Sequence, residues 1–127
     1  MTKRVISEQE KFWMGDFGGQ YNDRNIGHDL IKGRKHLFRS ALRTVGGIKN
    51  AIEFGANIGL NIHALKDLYP EINLSAIEIN KKAVDRLLEI DDLIVHQGSV
   101  LDIHTRKLYD LVFSVGVLIH INPNDLE

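Results

Sequence analysis

The sequence predicts an α/β fold built on a doubly wound parallel sheet. Short apolar runs of strand length alternate with helical patterns, and each run is separated from the next by enough chain for a crossover helix. A glycine turn stands at the end of the first run, where such a sheet hands the chain to a helix. Strand–helix–strand alternation of this spacing implies right-handed crossovers.

The elements follow in order. Residues 1–27 are polar and glycine-rich around Phe12, Trp13, Phe17 and Tyr21, and read as a short helix to about Met14 followed by a loop. From His28 to Val45, Leu30, Ile31, Leu37, Phe38, Ala41, Leu42 and Val45 fall at helical spacing with one buried face, stopped by Gly46-Gly47. The first strand is 51–54, and a helix from Asn61 to Leu68 ends before Pro70. Residues 72–77 form the second strand, ending at Glu78. Asn80 caps a helix with an inward face of Ala83, Val84, Leu87 and Leu88. The third and fourth strands are 93–95 and 111–113, and Asn122-Pro123-Asn124-Asp125 is a helix start with two residues behind it.

Composition narrows the function. The chain has 127 residues, with 16 Lys+Arg against 17 Asp+Glu and a net charge of −1. That balance lacks the basic footprint of a nucleic-acid binder. The basic run from Lys32 to His36 reads as a solvated helix face. No run reaches the ~20 apolar residues of a membrane span. Lys3 and Arg4 are followed by Ser7-Glu8-Gln9-Glu10 rather than an apolar stretch, so no secretory signal is read and a cytoplasmic protein is expected. With no cysteine there is no disulfide, thiolate metal site or cysteine nucleophile. The six histidines lack metal-ligand spacing. His120, just past the fourth strand, is the one candidate base.

The turn Glu53-Phe54-Gly55-Ala56-Asn57-Ile58-Gly59 carries the chemistry. Gly55 lets the backbone leave the strand sharply, Asn57 can visit positive φ, and Gly59 is expected to bring the helix close to a ligand. Glu78, 19 residues after Gly59, ends the next strand, where a carboxylate accepts from both hydroxyls of a ribose. Its presence disfavours a tight turn with no ligand. A dinucleotide fingerprint starting at Gly55 fails, because Asn57 and Leu60 stand where glycines are needed. The pattern acid-x-G-x-G-x-G is met at Glu53, Gly55 and Gly59 and missed only at Asn57.

That pattern resembles the first motif of class I S-adenosylmethionine-dependent methyltransferases. The Tyr109–Leu118 run, YDLVFSVGVL, is similar to the fourth-strand motif of the same class. The resemblance implies a Rossmann-like sheet and S-adenosyl-L-methionine as cofactor. It places Glu53, Gly55, Ala56, Asn57, Gly59 and Glu78 around the cofactor, with Ser99 and Val100 near the adenine. Where the class carries an acid, Ser99 offers a hydroxyl, and Asp102 lies three residues on. Ser114 and Val115 would lie against the methionine part, toward the substrate. Asp110, at a strand start, reads as a cap for the preceding loop.

More narrowly, the chain resembles the methylase family associated with pseudaminic acid biosynthesis. FW-x-G-x-FG-x-x-Y-x-x-RN from Phe12 to Asn25, EFGANIGLN at 53–61 and HINP at 120–123 carry that likeness over residues 8–127. It implies a small, sugar-related acceptor. It also implies an N-terminal segment, 1–27, that covers the cofactor, with Tyr21 and Arg24 reaching its carboxylate. Residues 28–127 would then be an incomplete Rossmann-like domain, with four strands present and the last three missing. Trp13, Phe17 and Tyr21 recur every four residues as an aromatic stripe, and Trp13 and Phe17 are expected to pack on the core. Two other classes fit less well: a cofactor-binding protein without catalysis, and a nucleotide-dependent oxidoreductase.

Overall fold

The computed structural model describes residues 3–24 and 27–126; Asn25, the last residue of the N-terminal run, and Glu127 lie outside them. Helices α1 (Glu8–Met14), α2 (Asp16–Arg24) and α3 (His28–Ala41) precede β1 (Asn50–Phe54). Then come α4 (Leu60–Leu68), β2 (Asn73–Glu78), α5 (Lys81–Leu87), β3 (Ile94–Gln97) and β4 (Leu111–Phe113). Two 3₁₀ turns, Leu118–His120 and Pro123–Asp125, follow. All pairings are parallel and the strand order is β3-β2-β1-β4.

Ala51, Ile52 and Glu53 are all buried, so β1 is covered on both faces, as a central parallel strand requires. The core gathers Phe38, Ile62, Leu65, Leu74 and Leu87 around Ala51 and Ala76. Helix α3 packs on α4, is tied to it by Lys35–Asp67 (3.2 Å), and sets the Phe38 ring edge-on to Phe113 of β4 at 5.3 Å. At the N-terminal edge of the sheet, Asp110 caps the chain entering β1 and not the loop before β4: its Oδ2 accepts from the backbone N–H groups of Lys49 (2.7 Å) and Asn50 (3.0 Å). Those two donors hold its carboxyl below the usual range.

Five expectations are corrected. The loop read after Met14 is helix α2. Gly18 and Gly19 cost about 1 kcal/mol each in a helix, but both are buried, and a Cβ at Gly18 would sit 2.1 Å from the Trp13 carbonyl. Close packing overrides propensity there. Helix α3 ends at Ala41 and buries only Phe38 fully, with Ile31 and Leu42 partly buried; Leu30, Leu37, Ala41 and Val45 are exposed. Leu88 is exposed because α5 ends at Leu87. Strand β3 runs Ile94–Gln97, set by its pairing with Ser75–Glu78 rather than by the apolar run. The final helix start closes as a 3₁₀ turn, with Asn122 accepting from the Asn124 N–H.

Among the described residues no helix is long and apolar enough to cross a membrane.

Candidate functional site

Each strand of a parallel sheet points its C-terminal end the same way, so the loops that follow share one rim. A cavity opens there. Its floor is Gly55, Ala56 and Asn57 after β1, with Leu60 and Asn61 of α4; Glu78, Ile79 and Asn80 follow β2. Gly98, Ser99 and Val100 follow β3, and Val115, Gly116 and Val117 follow β4. The N-terminal helices supply the opposite wall through Glu10, Trp13, Tyr21 and Asn22; Arg34 enters from α3, and His120 stands at the mouth.

Glu53 projects from β1 and is 1% exposed. Its Oε1 accepts from Asn61 Nδ2 at 2.5 Å, while Oε2 has no partner among the described residues. Burial pushes its pKa up to about 8, against the Asn61 bond and the charge of Arg34, and Glu78 adds a small push upward. The side-chain oxygens of Asn57 and Asn61 are likewise buried without partners. Arg34, half-buried, makes no hydrogen bond or ion pair to the described residues. Three buried oxygens without hydrogen-bond partners among the described residues, on Glu53, Asn57 and Asn61, and the Arg34 side chain therefore belong to residues that line the same cavity.

Glu78 joins two turns. Its Oε2 accepts from the Asn57 N–H at 2.7 Å, and Oε1 from Ile79 and Asn80 N–H, both at 2.9 Å. Burial raises its pKa while those three donors pull against the rise. A carboxylate has about four lone-pair sites, so one is left for a ligand. Asn57 sits at φ +52, as its place in the turn anticipates, and Gly55 at φ +76.

The N-terminal helices are held to this rim by polar contacts. Ser7 and Glu10 form a capping box at the start of α1. Glu10 binds Arg4 (2.6 and 3.0 Å) and accepts from Ser99, and the Arg4 guanidinium drops the Glu10 pKa to about 2. Arg4 also grips Asp102 with two bonds of 2.9 Å. Asn80 caps α5 with its Oδ1 and donates from Nδ2 to the Trp13 carbonyl at 2.9 Å, while Asn22 donates to Asn80 Oδ1 at 3.0 Å. Arg86 reaches Asp23 at 2.8 Å.

The rim thus brings together Glu53, Gly55, Ala56, Asn57, Glu78, Ser99, Val100, Val115, Tyr21 and His120 of the sequence-derived set. Gly59, Ser114 and Arg24 do not line the cavity. Gly59 caps α4 at φ +88, and a Cβ there would meet Ile90 at 2.7 Å and Leu87 at 3.0 Å, so it admits the neighbouring α5 region and not a ligand. The Arg24 guanidinium lies 5.8 and 5.9 Å from the Phe17 and Tyr21 ring centres. Asp102 is taken by Arg4. Phe17 is exposed, and Trp13 packs on Phe12, Phe17, Tyr21 and His120 at the cavity wall rather than in the core. The basic run is not wholly solvated, because Arg34 lines the cavity and Lys35 pairs with Asp67 of α4. Sequence reasoning missed Glu10, Arg34, Asn61 and the bridging role of Asn80. The S-x-x-E spacing of Ser7 and Glu10 was a readable capping signal; Arg34 carried none without the phase of α3.

No family model and no curated protein matches the sequence. Solved structures do match in fold. The plantazolicin methyltransferase BpumL in complex with SAH superposes with a TM-score of 0.65 at 12% identity, over 84% of this chain and 44% of that one. The glycopeptide N-methyltransferase MtfA complexed with S-adenosyl-L-methionine gives 0.61 at 19% identity, over 73% and 44%. StiE O-MT residues 942–1257 give 0.54 at 22% identity, over 62% and 31%. The chain spans less than half the length of each, and over that span it shares the α/β fold on which these methyltransferases are built.

Proposed function

We propose that the cavity binds S-adenosyl-L-methionine and that the chain belongs to an enzyme transferring its methyl group to a small-molecule acceptor. The observation that carries this reading is the charge pattern at the cavity end. Buried polar groups without partners are costly, and the buried acceptors of Glu53, Asn57 and Asn61, residues that line the same cavity as Arg34, suit an amino-acid zwitterion. An ammonium would donate to Glu53 Oε2 and the two amide oxygens, and a carboxylate would pair with the Arg34 fork. Glu78 keeps one lone pair for a ribose hydroxyl. A pyrophosphate at the same turn would face both Glu53 and Glu78, which weighs against a dinucleotide. When bound, the cofactor supplies an electrophilic methyl on a positively charged sulfur, which keeps the bonding pair as the acceptor's lone pair takes the methyl. The protein then contributes placement and exclusion of water.

Residues 1–27 act as the cover over this cavity and 28–127 as the cofactor-binding body. The carboxylate role first given to Arg24 passes to Arg34, with Tyr21 as a wall. Calorimetric titration with S-adenosylhomocysteine tests the reading. Arg34→Ala is expected to weaken binding at least tenfold and Arg24→Ala less than twofold. The reverse ranking returns the role to Arg24, and a wild-type chain that does not bind overturns the cofactor assignment.

His120 lies at the mouth with its ring 4.7 Å from that of Trp13, placed to take the proton of a hydroxyl acceptor. The His120→Ala variant is expected to lose the acid limb of the pH–rate profile for methyl transfer; an unchanged profile removes His120 from the chemistry. The N-terminal run supports a sugar-related acceptor, connected with nonulosonic acid synthesis.

A further inference from the structure

Next to the cavity, an open groove runs between α1 and the chain after β4. It shares Gln9, Trp13, His120 and Ile121 with the cavity, so the two are continuous at His120. Its remaining walls are Phe12, Ile119 and Pro123, with Glu8 at the rim. Two large apolar side chains stand open to water: Ile119 is 82% exposed and Phe12 is 52% exposed. Isolated exposed apolar residues need no explanation, but a contiguous set rimming a polar cavity marks a binding surface.

We infer that this groove seats the methyl acceptor, and that the part of the acceptor bearing the nucleophile is an uncharged ring with an apolar face. The inference rests on the cofactor reading for its direction and on charge for its chemistry. The only wall residue with a full charge is Glu8, and its Oε1 is occupied by Lys11 at 2.7 Å. No wall residue is a lysine or arginine. An anionic group entering the groove would leave water for apolar walls beside an acid, and the cation at that rim, Lys11, is already paired with Glu8, which is unfavourable. A neutral ring would lose nothing and would gain edge or face contacts with Phe12 and Trp13. Phosphate or carboxylate groups on the acceptor must therefore stay outside, in solvent, while the neutral portion reaches His120 and the cavity.

Trp13 is the single tryptophan of the chain and lines both spaces. Its indole N–H gives one nitrogen-15 correlation in an NMR spectrum, a reporter that needs no label chemistry and no turnover. The probe pair is 1-naphthol and 1-naphthyl phosphate, the same ring with and without charge, each titrated with and without saturating S-adenosylhomocysteine. The expected result is a saturable shift with 1-naphthol and at least tenfold weaker binding of the phosphate. Ile119→Glu should weaken 1-naphthol at least fivefold, and Ile119→Lys should reverse the preference toward the phosphate. Both changes lie on a surface residue outside the cofactor cavity, so S-adenosylhomocysteine affinity is expected to stay within twofold. Equal binding of the two probes, or indifference to both substitutions, overturns the groove while S-adenosylhomocysteine binding still stands. Binding of 1-naphthol without any binding of S-adenosylhomocysteine overturns the cofactor reading and leaves the groove as a site for neutral rings.

Discussion

Glu53→Gln is expected to weaken S-adenosylhomocysteine binding by about a hundredfold and, in the same protein, to make the ligand-free chain more stable above neutral pH. The two effects have one cause. The Glu53 carboxyl is 1% exposed with Oε2 unpartnered, and burial holds its pKa at about 8 instead of 4.5. In the ligand-free fold it keeps its proton near neutrality, whereas in the unfolded chain it has lost it. Folded protein then binds more protons than unfolded protein between pH 4.5 and 8, so stability falls as pH rises across that window and levels off above it. Glutamine has no proton to lose, and the slope attributable to this site should vanish from denaturant midpoints measured from pH 4.5 to 9. At pH 8 the variant is expected to be the more stable protein, because it no longer carries an acid that ionises in the unfolded chain and stays protonated in the fold. Binding reverses the balance. An ammonium beside Oε2 stabilises the ionised acid, and losing that charge-assisted bond costs about 2–3 kcal/mol, roughly a hundredfold in affinity. Wild-type affinity should also rise with pH toward 8, with Arg34 and Glu78 as the charged neighbours and proton release measurable by calorimetry in two buffers. A pH-independent wild-type stability curve would show that Glu53 is not buried as described.

Asn80→Asp is the second large effect. Aspartate caps a helix as well as asparagine, and its oxygen can still accept from Ala83 N–H and Asn22, as Asn80 Oδ1 does now. Only the donor is lost, the Nδ2 group that reaches the Trp13 carbonyl and lies 3.4 Å from that of Gly15. A carboxylate would then face carbonyl oxygens at a position 4% exposed. The cost is about 3 kcal/mol, enough to raise opening of the α1–α2 segment roughly hundredfold. Hydrogen exchange should accelerate in residues 8–24 and stay unchanged in β1, β2 and α4. If exchange rises across the sheet as well, Asn80 supports the whole fold and not the docking of the N-terminal helices.

What could be read from sequence divides along local and non-local lines. Strands β1 and β4, the stop before Pro70 and the Asn80 cap are written in neighbouring residues, and the structure has them within a residue or so. Helix α2 was illegible because its two glycines argue against helix locally and are justified only by the approach of Trp13 and Asn80 from elsewhere. On α3 the pattern contained more apolar positions than the neighbouring elements cover, so sequence could not say that Phe38 is buried while Leu30 and Leu37 are exposed. The turn at 53–59 and Glu78 pointed to the rim correctly. Gly59 and Arg24 did not belong to its lining, since a glycine's partner and a long side chain's direction depend on what is packed against them. Asn61 was invisible for the same reason: its pairing with Glu53 exists only after the turn has folded α4 back over β1.

The place of β4 beside β1 has a kinetic side. Strand β1 meets β2 after a chain excursion of about 20 residues, and β2 meets β3 after a similar one, whereas Ala51 and Leu111 are drawn from opposite ends of the sheet-forming sequence. Asp110 joins Asn50 across 60 residues. Closing a loop three times longer costs about 1 kcal/mol more in chain entropy, and three residues of parallel pairing repay it slowly. The β1–β2–β3 unit can therefore assemble before β4 joins it. The rim loop that carries Val115, Val117 and His120 is then completed after the turn at Glu53 is already in place.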